Sequence, residues 1–339
     1  MYPAPPVTSV VPGVAMVDVV LTVRHCTVRH VIVAVVVTYS APANMLERCI
    51  GSLRSAGGVD HIVVVDTGGH AVPSDPAVEL IQTDNRGYGA AANRGFSRAL
   101  SRGATAIALL NDDVTVHSGW LPPLLAELST ENVGAAQPKL LVAGSVPARI
   151  NSLGVQLGPD GAGTDIGIGD IDVVVGPPAD MKIFTGGAVV FTPAFLTATG
   201  GFDERYFLYY EDVDLALRGR SLGWRYRLVP ASVVEHVGGA STGHDGGATR
   251  YHQERNRLRA VFRHADAATI LRAVWLSLRR MRHQPHGAHL RALVAGLAGA
   301  PVQFYERFRK LDRRHLGISD EHVDGAAPHP TLCEGAPPT

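Results

Sequence analysis

The 339-residue chain has few cysteines, no surplus of charge and no long apolar run. Its three cysteines, Cys26, Cys49 and Cys333, are scattered and lack metal-ligand spacing, so neither a disulfide framework nor a zinc site is expected. Basic and acidic residues both number 31, which argues against a nucleic-acid partner. No apolar run reaches the roughly 18–20 residues of a membrane span.

The composition divides the chain into four predicted parts. Residues 1–29 are rich in proline and valine without a clear period, and we expect a poorly ordered extension without the basic start of a signal peptide. A catalytic domain is expected over residues 30–264 and amphipathic helices over 265–318. The tail, 319–339, is rich in proline and small residues and is expected to be disordered.

Apolar runs alternate with helical patterns in the first half of the chain. The runs at residues 31–38, 61–65 and 106–110 predict strands that are buried on both faces of a sheet. Apolar residues at helical spacing between them predict crossover helices. The pattern therefore predicts an α/β fold with parallel strands, in which ligands bind at the carboxyl ends of the strands.

Asn111, Asp112 and Asp113 directly follow the apolar run 106–110. Two adjacent carboxylates at the edge of a sheet repel each other and lose solvation, and hard oxygen ligands suit Mg²⁺ or Mn²⁺. Because such an ion usually completes its shell with water and substrate phosphates, the pair indicates a nucleotide-diphosphate substrate. A polar turn after the strand is the structural alternative.

Two further segments suggest a nucleotide pocket. Asp66, at the tip of the second strand, can accept a hydrogen bond from a ribose or base, or form a turn. The glycine-punctuated loop 84–89 precedes a helix whose N-terminus favours anions. The small residues Ala91, Ala92 and Gly95 are expected to let this helix lie close to the sheet.

A second chemical cluster lies in the latter half of the chain. Acidic residues fill the first turn of a helix predicted over residues 211–222, where the helix dipole favours them on structural grounds alone. These residues are Glu211, Asp212 and Asp214. Gly186 and Gly187 lie between two strand-like pieces, which suggests a close approach of backbone to ligand. His236, at the end of a short strand, is either a metal ligand or a polar residue with ordinary partners.

The order of these motifs resembles glycosyltransferase family 2, especially bacterial members that transfer rhamnose or galactofuranose to cell-envelope glycans. The resemblance spans residues 31–264 and rests on VVVTYS, VVVDTGG, NRGYGAAANRG, LLNDDV, TGGAVVF, GGFDERYFLYYEDVDLALRGRSLGW and EHVGGAST, in that order. Asp-Thr-Gly-Gly after the second strand departs from the commoner Asp-Asn. The Gln-x-x-Arg-Trp motif of processive synthases is absent from the sequence, which implies addition of one or a few sugars.

The resemblance implies a GT-A fold, with a Rossmann-like nucleotide-binding half and a mixed central sheet, followed by C-terminal helices. It implies inverting transfer of a sugar from a nucleotide-diphosphate donor, with dTDP-rhamnose as the leading candidate, to a glycan or lipid-linked acceptor. It implies Asp212 as the general base, with Asp113 and His236 holding Mg²⁺ or Mn²⁺. Nucleotide-binding roles fall on Asp66, Asn85, Gly87, Asn93 and Asp112, and acceptor-side positions on Gly186, Gly187, Glu211 and Arg255.

Two other functions stay open at this point. A nucleotidyltransferase also combines paired aspartates with Mg²⁺, but it normally has a basic, glycine-rich phosphate loop early in the chain, and the sequence after Val31 has none. A degenerate glycan-binding protein would have no need of the acidic residues and His236.

The C-terminal stretch 270–314 has apolar faces bordered by arginine and lysine. That composition predicts a peripheral contact with anionic lipid, at the inner face of the plasma membrane of a cytoplasmic enzyme. Packing on the catalytic domain, or on another subunit of a homo-oligomer, is the alternative.

Overall fold

The computed structural model describes residues 30–40, 42–237, 246–283 and 287–308. The predicted N-terminal extension and the predicted tail lie outside the described residues. The strands are β1 (Ile32–Thr38), β2 (His61–Asp66), β3 (Val78–Gln82), β4 (Ala106–Asn111), β5 (Val114–Val116), β6 (Val133–Val142), β7 (Ile150–Ser152), β8 (Val155–Leu157), β9 (Gly163–Asp165), β10 (Ala179–Met181), β11 (Ala188–Phe191) and β12 (Arg225–His236). The helices are α1 (Ala43–Ala56), α2 (Tyr88–Ser101), α3 (Leu121–Leu128), α4 (Pro193–Thr199), α5 (Glu211–Ser221), α6 (Gly246–His264), α7 (Ala267–His283), α8 (Gly287–Ala298) and α9 (Ala300–Phe308).

Ten of the described strands form one mixed sheet in the order β10-β12-β6-β11-β4-β1-β2-β3, with β5 paired to β12 and β7 paired to β6. β8 and β9 form a separate antiparallel hairpin. The pairs β4–β1, β1–β2 and β2–β3 are parallel and form the Rossmann-like half. β11 is antiparallel to both β4 and β6, so it inserts a strand of opposite direction into the middle of the sheet. The prediction of an α/β fold with a mixed central sheet is confirmed.

The central strand β1 is buried along its whole length because helices cover both faces of the sheet. Val33 and Val35 belong to the core on the face that carries α2 and α5, while Ala34 and Val36 belong to the core under α1 and α3. This alternation follows from the two-residue period of a strand. With both faces apolar, polar side chains that serve a ligand must lie at the carboxyl edge of the sheet.

Helix α2 lies unusually close to this sheet. A Cβ atom added to Gly95 would be 2.1 Å from Cγ1 of Val35, a distance at which one of the two chains would have to move. Ala91 and Ala92, on the same helix, are buried in the same core. The prediction that small residues bring α2 onto the sheet is confirmed.

A buried ion cluster joins α5 to α6. The carboxylate of Asp214 is fully buried and accepts from Arg218 Nε at 2.7 Å, from Arg263 Nη1 at 3.0 Å and from His264 Nε2 at 2.8 Å. Burial alone would raise the pKa of Asp214, but these cationic neighbours hold it well below its usual range. The cluster therefore fixes the helix that begins at Glu211 against the helix that ends at His264.

Helices α7, α8 and α9 pack on α6 around a small core that includes Leu258, Phe262, Ala273 and Leu293. Each of the three also leaves large apolar side chains exposed. These are Leu271, Trp275 and Leu278 on α7, Leu290, Val294 and Leu297 on α8, and Val302, Phe304 and Tyr305 on α9. Among the described residues, no helix combines the length and the apolar character needed to cross a bilayer.

The buried ion cluster makes a prediction about stability. Asp214→Asn should lower the free energy of unfolding by about 3–5 kcal/mol, because it leaves buried cations without a counter-charge. Asp180→Asn is the matched control, since Asp180 pairs with Arg225 and Arg227 but its side chain is 63% exposed; such pairs contribute less than about 1 kcal/mol. Urea unfolding measures both, and equal losses would contradict the role of the cluster.

Candidate active site

A cavity of about 810 Å³ lies at the carboxyl edge of the parallel strands. Its floor includes the ends of β1, β2 and β4, and its far side is formed by the β8–β9 hairpin, the 206–210 loop and α6. Eight of the site residues expected from the sequence line it. They are Asn85, Gly87, Asp113, Gly186, Gly187, Glu211, Asp212 and His236.

Strand pairing brings Asp113 and His236 together at one edge of the cavity. β12 pairs with β5 so that His236 lies opposite Val114, and the amide of Val237 donates to the carbonyl of Asp113. His236 Nε2 is then 3.1 Å from Asp113 Oδ1. The two residues are 123 positions apart in the chain, yet the sheet register makes them neighbours.

The hydrogen bonding of His236 favours a cation at this edge. Its Nδ1 is 2.9 Å from Oδ1 of Asn151, and because that oxygen can only accept, Nδ1 must carry the proton. In the neutral ring Nε2 is then an acceptor that faces a carboxylate. Either a second proton on the ring or a metal ion bound to both atoms satisfies the pair, and metal-ligating histidines commonly donate their other N–H in this way.

The donors at this edge fit a divalent ion that also binds a substrate. Oδ1 of Asn111, next to Asp113, is buried and has no hydrogen-bond partner among the described residues. In the described part of the chain, no group of three or more metal-binding side chains is close enough to hold an ion. One carboxylate and one imidazole would thus leave most coordination positions to water and phosphate oxygens, as is usual for Mg²⁺-type sites.

Asp212 lies at the other side of the cavity, in the first turn of α5. Its Oδ2 accepts from the amide of Gly186 at 2.9 Å and its Oδ1 from its neighbour Val213 at 2.8 Å. Burial raises the pKa of Asp212 to about 6, with a smaller contribution from the nearby carboxylate of Asp165, although the two amides lower it. The effect of burial on the pKa is therefore larger than that of the two amides. Asp212 is basic enough to accept a proton near neutral pH.

Glu211 is a second carboxyl group in the same wall. Its Oε2 is buried and has no hydrogen-bond partner among the residues that the structure describes. Burial, and next the charge of Asp212, raise the pKa of Glu211 to about 8. The raised pKa favours the protonated form of Glu211, which can donate a hydrogen bond, whereas the carboxylate of Asp212 can accept one.

The loop of residues 206–210 positions both carboxyl groups. Phe207, Tyr209 and Tyr210 have φ values of 67°, 67° and 70°, a conformation that non-glycine residues rarely adopt. Asn256 of α6 holds the loop in place, because its Nδ2 donates to the carbonyls of Tyr206, Leu208 and Tyr209 at 2.7–2.8 Å. α5 starts directly after this loop, so the clamp sets where its first turn lies.

The same loop also shapes the nucleotide side of the cavity. Gly87 has φ +96°, and a Cβ atom there would be 2.2 Å from the carbonyl oxygen of Phe207. The amide of Tyr88 donates to that oxygen at 2.7 Å, and Oδ1 of Asn85 accepts from the amide of Gly87 at 3.0 Å. The glycine is required because the loop before α2 and the 206–210 loop touch through their backbones.

Two residues with predicted nucleotide roles stabilise backbone instead of lining the cavity. The carboxylate of Asp66 accepts from three amides of its own loop, those of Gly68, Gly69 and Ala71, at 2.8–3.1 Å. Gly68 permits this turn, since a Cβ there would be 1.6 Å from the carbonyl oxygen of Tyr39. Asn93 is buried in α2 and exchanges two hydrogen bonds of 2.9 Å with the backbone of Phe202.

Two other predicted residues also lie off the cavity wall. Asp112 is buried in the turn between β4 and β5, while its neighbour Asp113 lines the cavity. Arg255 points from α6 towards the 206–210 loop and donates to the carbonyl of Tyr206 at 2.6 Å, because the helical period turns it away from the cavity. The α6 residues that do line it are Arg250, Gln253, Glu254 and Arg257.

Sequence reasoning missed two polar residues of the site, Asn151 and Asp165. Both lie in the glycine- and aspartate-rich segment between β6 and β10, where the sequence shows only weak strand patterns. Asn151 hydrogen-bonds His236, and Asp165 lines the cavity together with His236 and Asp212. Their positions depend on the pairing of three-residue strands, and the local sequence does not predict which of these strands pair.

Comparison with known proteins identifies the family. A family model described as glycosyl transferase family 2 matches residues 33–154. N-acetylglucosaminyl-diphospho-decaprenol L-rhamnosyltransferase of Mycobacterium tuberculosis is 30% identical over 250 residues, which cover 63% of this chain and 78% of that protein. Pre-mycofactocin glycosyltransferase of the same species is 30% identical over 217 residues, which cover 61% of this chain but only 43% of that protein.

The fold matches a solved structure as well. The crystal structure of GalNAc-T7 with UDP, GalNAc and Mn²⁺ superposes with a TM-score of 0.58 at 14% sequence identity, over 88% of this chain and 58% of that one. At this identity the likeness concerns the fold alone, and it confirms the GT-A architecture. The chain belongs to glycosyltransferase family 2, because it is 30% identical to the rhamnosyltransferase and covers more than two thirds of that protein.

Proposed function

We propose that the protein is an inverting, metal-dependent glycosyltransferase that moves a sugar from a nucleotide-diphosphate donor to a glycan or lipid-linked acceptor. The observation that carries this proposal is the placement of two different chemistries in one cavity. Asp113 and His236 form a cation-favouring pair at one edge, and the carboxylate of Asp212 lies apart from them in the first turn of α5. Inverting transfer needs both, on opposite sides of the reacting carbon.

Asp212 would act as the general base. Its carboxylate is oriented by the amides of Gly186 and Val213, so each oxygen keeps a lone pair for a proton from the acceptor hydroxyl. The hydroxyl oxygen forms the new bond to the anomeric carbon as the bond to the diphosphate breaks, and its proton goes to Asp212. A neutral Glu211 beside it avoids a second negative charge next to the base.

Asp113 and His236 would hold Mg²⁺ or Mn²⁺. When bound, such an ion neutralises the charge that develops on the leaving diphosphate. Asn151 contributes by fixing the orientation of the imidazole. The glycines of the loop that begins at Asn85 and the turn at the start of α2 leave room for the nucleotide beside this edge.

The relatives support a specific donor. One of them is named as an L-rhamnosyltransferase that acts on a decaprenol-linked diphosphate, which makes dTDP-rhamnose and a lipid-linked acceptor the leading choice. A nucleotidyltransferase is disfavoured because the sequence after Val31 has no basic, glycine-rich phosphate loop, and because that reaction gives no role to a general base at Asp212.

The metal proposal predicts the behaviour of Asp113→Asn. This variant should lose most of the Mn²⁺-dependent gain in affinity for dTDP or UDP, because the diphosphate loses its counter-ion. Isothermal titration with dTDP, UDP and GDP, each in MnCl₂ and in EDTA, measures it. Asp170→Asn, in an exposed acid away from the cavity, is the matched control. If Asp113→Asn binds nucleotide as the unmodified protein does in MnCl₂, the metal ligands are elsewhere.

The base proposal predicts a rate effect with a pH signature. Asp212→Asn should slow transfer about 10²–10⁴-fold, the usual contribution of a general base, with donor affinity nearly unchanged. Since the base must be ionised, kcat/KM of the unmodified enzyme should fall as the pH drops below about 6, the pKa of Asp212. Initial rates between pH 5 and 8 test this. A pH-independent rate, or a variant that loses donor binding but not turnover, would give Asp212 a structural role.

We also propose that the C-terminal helices contact the inner face of the plasma membrane. The exposed faces of α7 and α8 present apolar residues at i, i+4 and i+7, and exposed arginines lie beside them. The apolar residues are Leu271, Trp275, Leu278, Leu290, Val294 and Leu297, and the arginines are Arg272, Arg279 and Arg291. Apolar area bordered by positive charge is the composition of an interfacial helix on anionic lipid.

Liposome flotation tests this contact with the full chain. The protein should float with vesicles of phosphatidylglycerol and phosphatidylcholine, and less so in high salt, which screens surface charge. Replacing Leu271, Trp275 and Leu278 by serine should abolish flotation. The control replaces Val72, Val146 and Val173 by serine, since these are at least 79% exposed but lie elsewhere. Equal flotation of both triple variants would remove α7 as the membrane contact.

A further inference from the structure

Asp165, at the end of β9, is a carboxylate of the cavity to which the proposed mechanism gives no task. It lines the cavity together with Asp113, Asp212 and His236. Its Oδ1 is buried and has no hydrogen-bond partner among the described residues. A buried carboxylate oxygen without a donor is costly, so the position calls for a ligand that donates a hydrogen bond.

The position of Asp165 is fixed by two connections to the rest of the site. β9 pairs with β8 so that Asp165 lies opposite Val155, whose amide donates to the carbonyl of Ile183 at 2.8 Å. At the other end of β9, the amide of Gly163 donates to the hydroxyl of Tyr210 at 2.8 Å. The hairpin is thus tied both to the strand segment before Gly186 and to the 206–210 loop.

Asp165 lies between the two chemical edges of the cavity. Its carboxylate receives a hydrogen bond from Ser152 and interacts electrostatically with His236 on one side. On the other side its charge contributes to the raised pKa of Asp212. In the proposed reaction the donor sugar must occupy the part of the cavity between His236 and Asp212, because its anomeric carbon lies between the leaving diphosphate and the acceptor hydroxyl.

We infer that Asp165 binds a hydroxyl group of the donor sugar and so helps to select which sugar is transferred. Carboxylates are suited to this task because they accept strong, charge-assisted hydrogen bonds from hydroxyls, and a site built to bind a hydroxyl rejects analogues that lack it. The inference rests on the proposed glycosyltransferase function and adds a specificity residue to it.

The test compares sugar nucleotides with the corresponding nucleotides. Binding of dTDP-rhamnose, UDP-galactose and GDP-mannose, and of dTDP, UDP and GDP, is measured by isothermal titration in MnCl₂ without acceptor. Asp165→Asn should weaken binding of the recognised sugar nucleotide roughly 10- to 100-fold, the loss expected for one hydrogen bond to a charged group. Binding of the matching nucleoside diphosphate should change less than about twofold.

Two controls separate recognition from misfolding. Asp170→Asn lies in the same segment, is exposed and does not line the cavity, so it should bind every probe as the unmodified protein does. Donor analogues that each lack one hydroxyl provide the second control. The analogue that lacks the hydroxyl bound by Asp165 should bind the unmodified protein weakly and lose little more in Asp165→Asn.

Three results would overturn the inference, and they are distinguishable. If the unmodified protein binds none of the sugar nucleotides, the proposed function fails and this inference fails with it. If it binds one of them and Asp165→Asn binds that one equally well, only the role of Asp165 fails. If nucleotide and sugar nucleotide weaken together, Asp165 does not bind the donor sugar.

Discussion

The site depends on one strand pairing, that of β12 with β5 and β6. β12 runs parallel to β6 but antiparallel to β5, and a register shift between Val229 and Val233 lets a single long strand satisfy both. Pro230, which has no N–H to donate, lies in that shift. This pairing places His236 beside Asp113, although the two residues are far apart in the sequence.

A second constraint comes from the strained 206–210 loop. Asn256 holds the carbonyls of Tyr206, Leu208 and Tyr209. The amide of Tyr88 ties the loop to α2, and the hydroxyl of Tyr210 ties it to the β8–β9 hairpin. Residues held in rarely populated conformations persist only where the surroundings over-determine them. The loop therefore joins the start of α2, the first turn of α5 and the β8–β9 hairpin around one cavity, and α6 supports it.

The sequence was sufficient for features that depend on local period and composition. The buried strands, the close packing of α2 through Gly95 and the chemical cluster at Glu211 all follow from patterns within a few residues. It also placed Asp113 and Asp212 in one cavity, through the order of motifs and the resemblance they carry.

Other positions could not be predicted, because they depend on contacts between distant segments. Helical period alone did not reveal that Arg255 faces the 206–210 loop, or that Asn93 holds Phe202. Nor did the sequence reveal that the carboxylate of Asp66 accepts hydrogen bonds from amides of its own loop. Asp165 gave no signal because its neighbours in space come from β7, β12 and α5, and the sequence pattern does not show that these elements meet.

The central claim is that the cation edge and the base are separate sites in one cavity. A crystal structure of the protein with Mn²⁺ and dTDP, or with UDP if that nucleotide binds, tests it most directly through the anomalous signal of manganese. The account predicts a single peak at coordination distance from the Asp113 carboxylate and from His236 Nε2, in contact with the diphosphate. A peak among Asp165, Glu211 and Asp212, or bound nucleotide with no peak at Asp113, would contradict it.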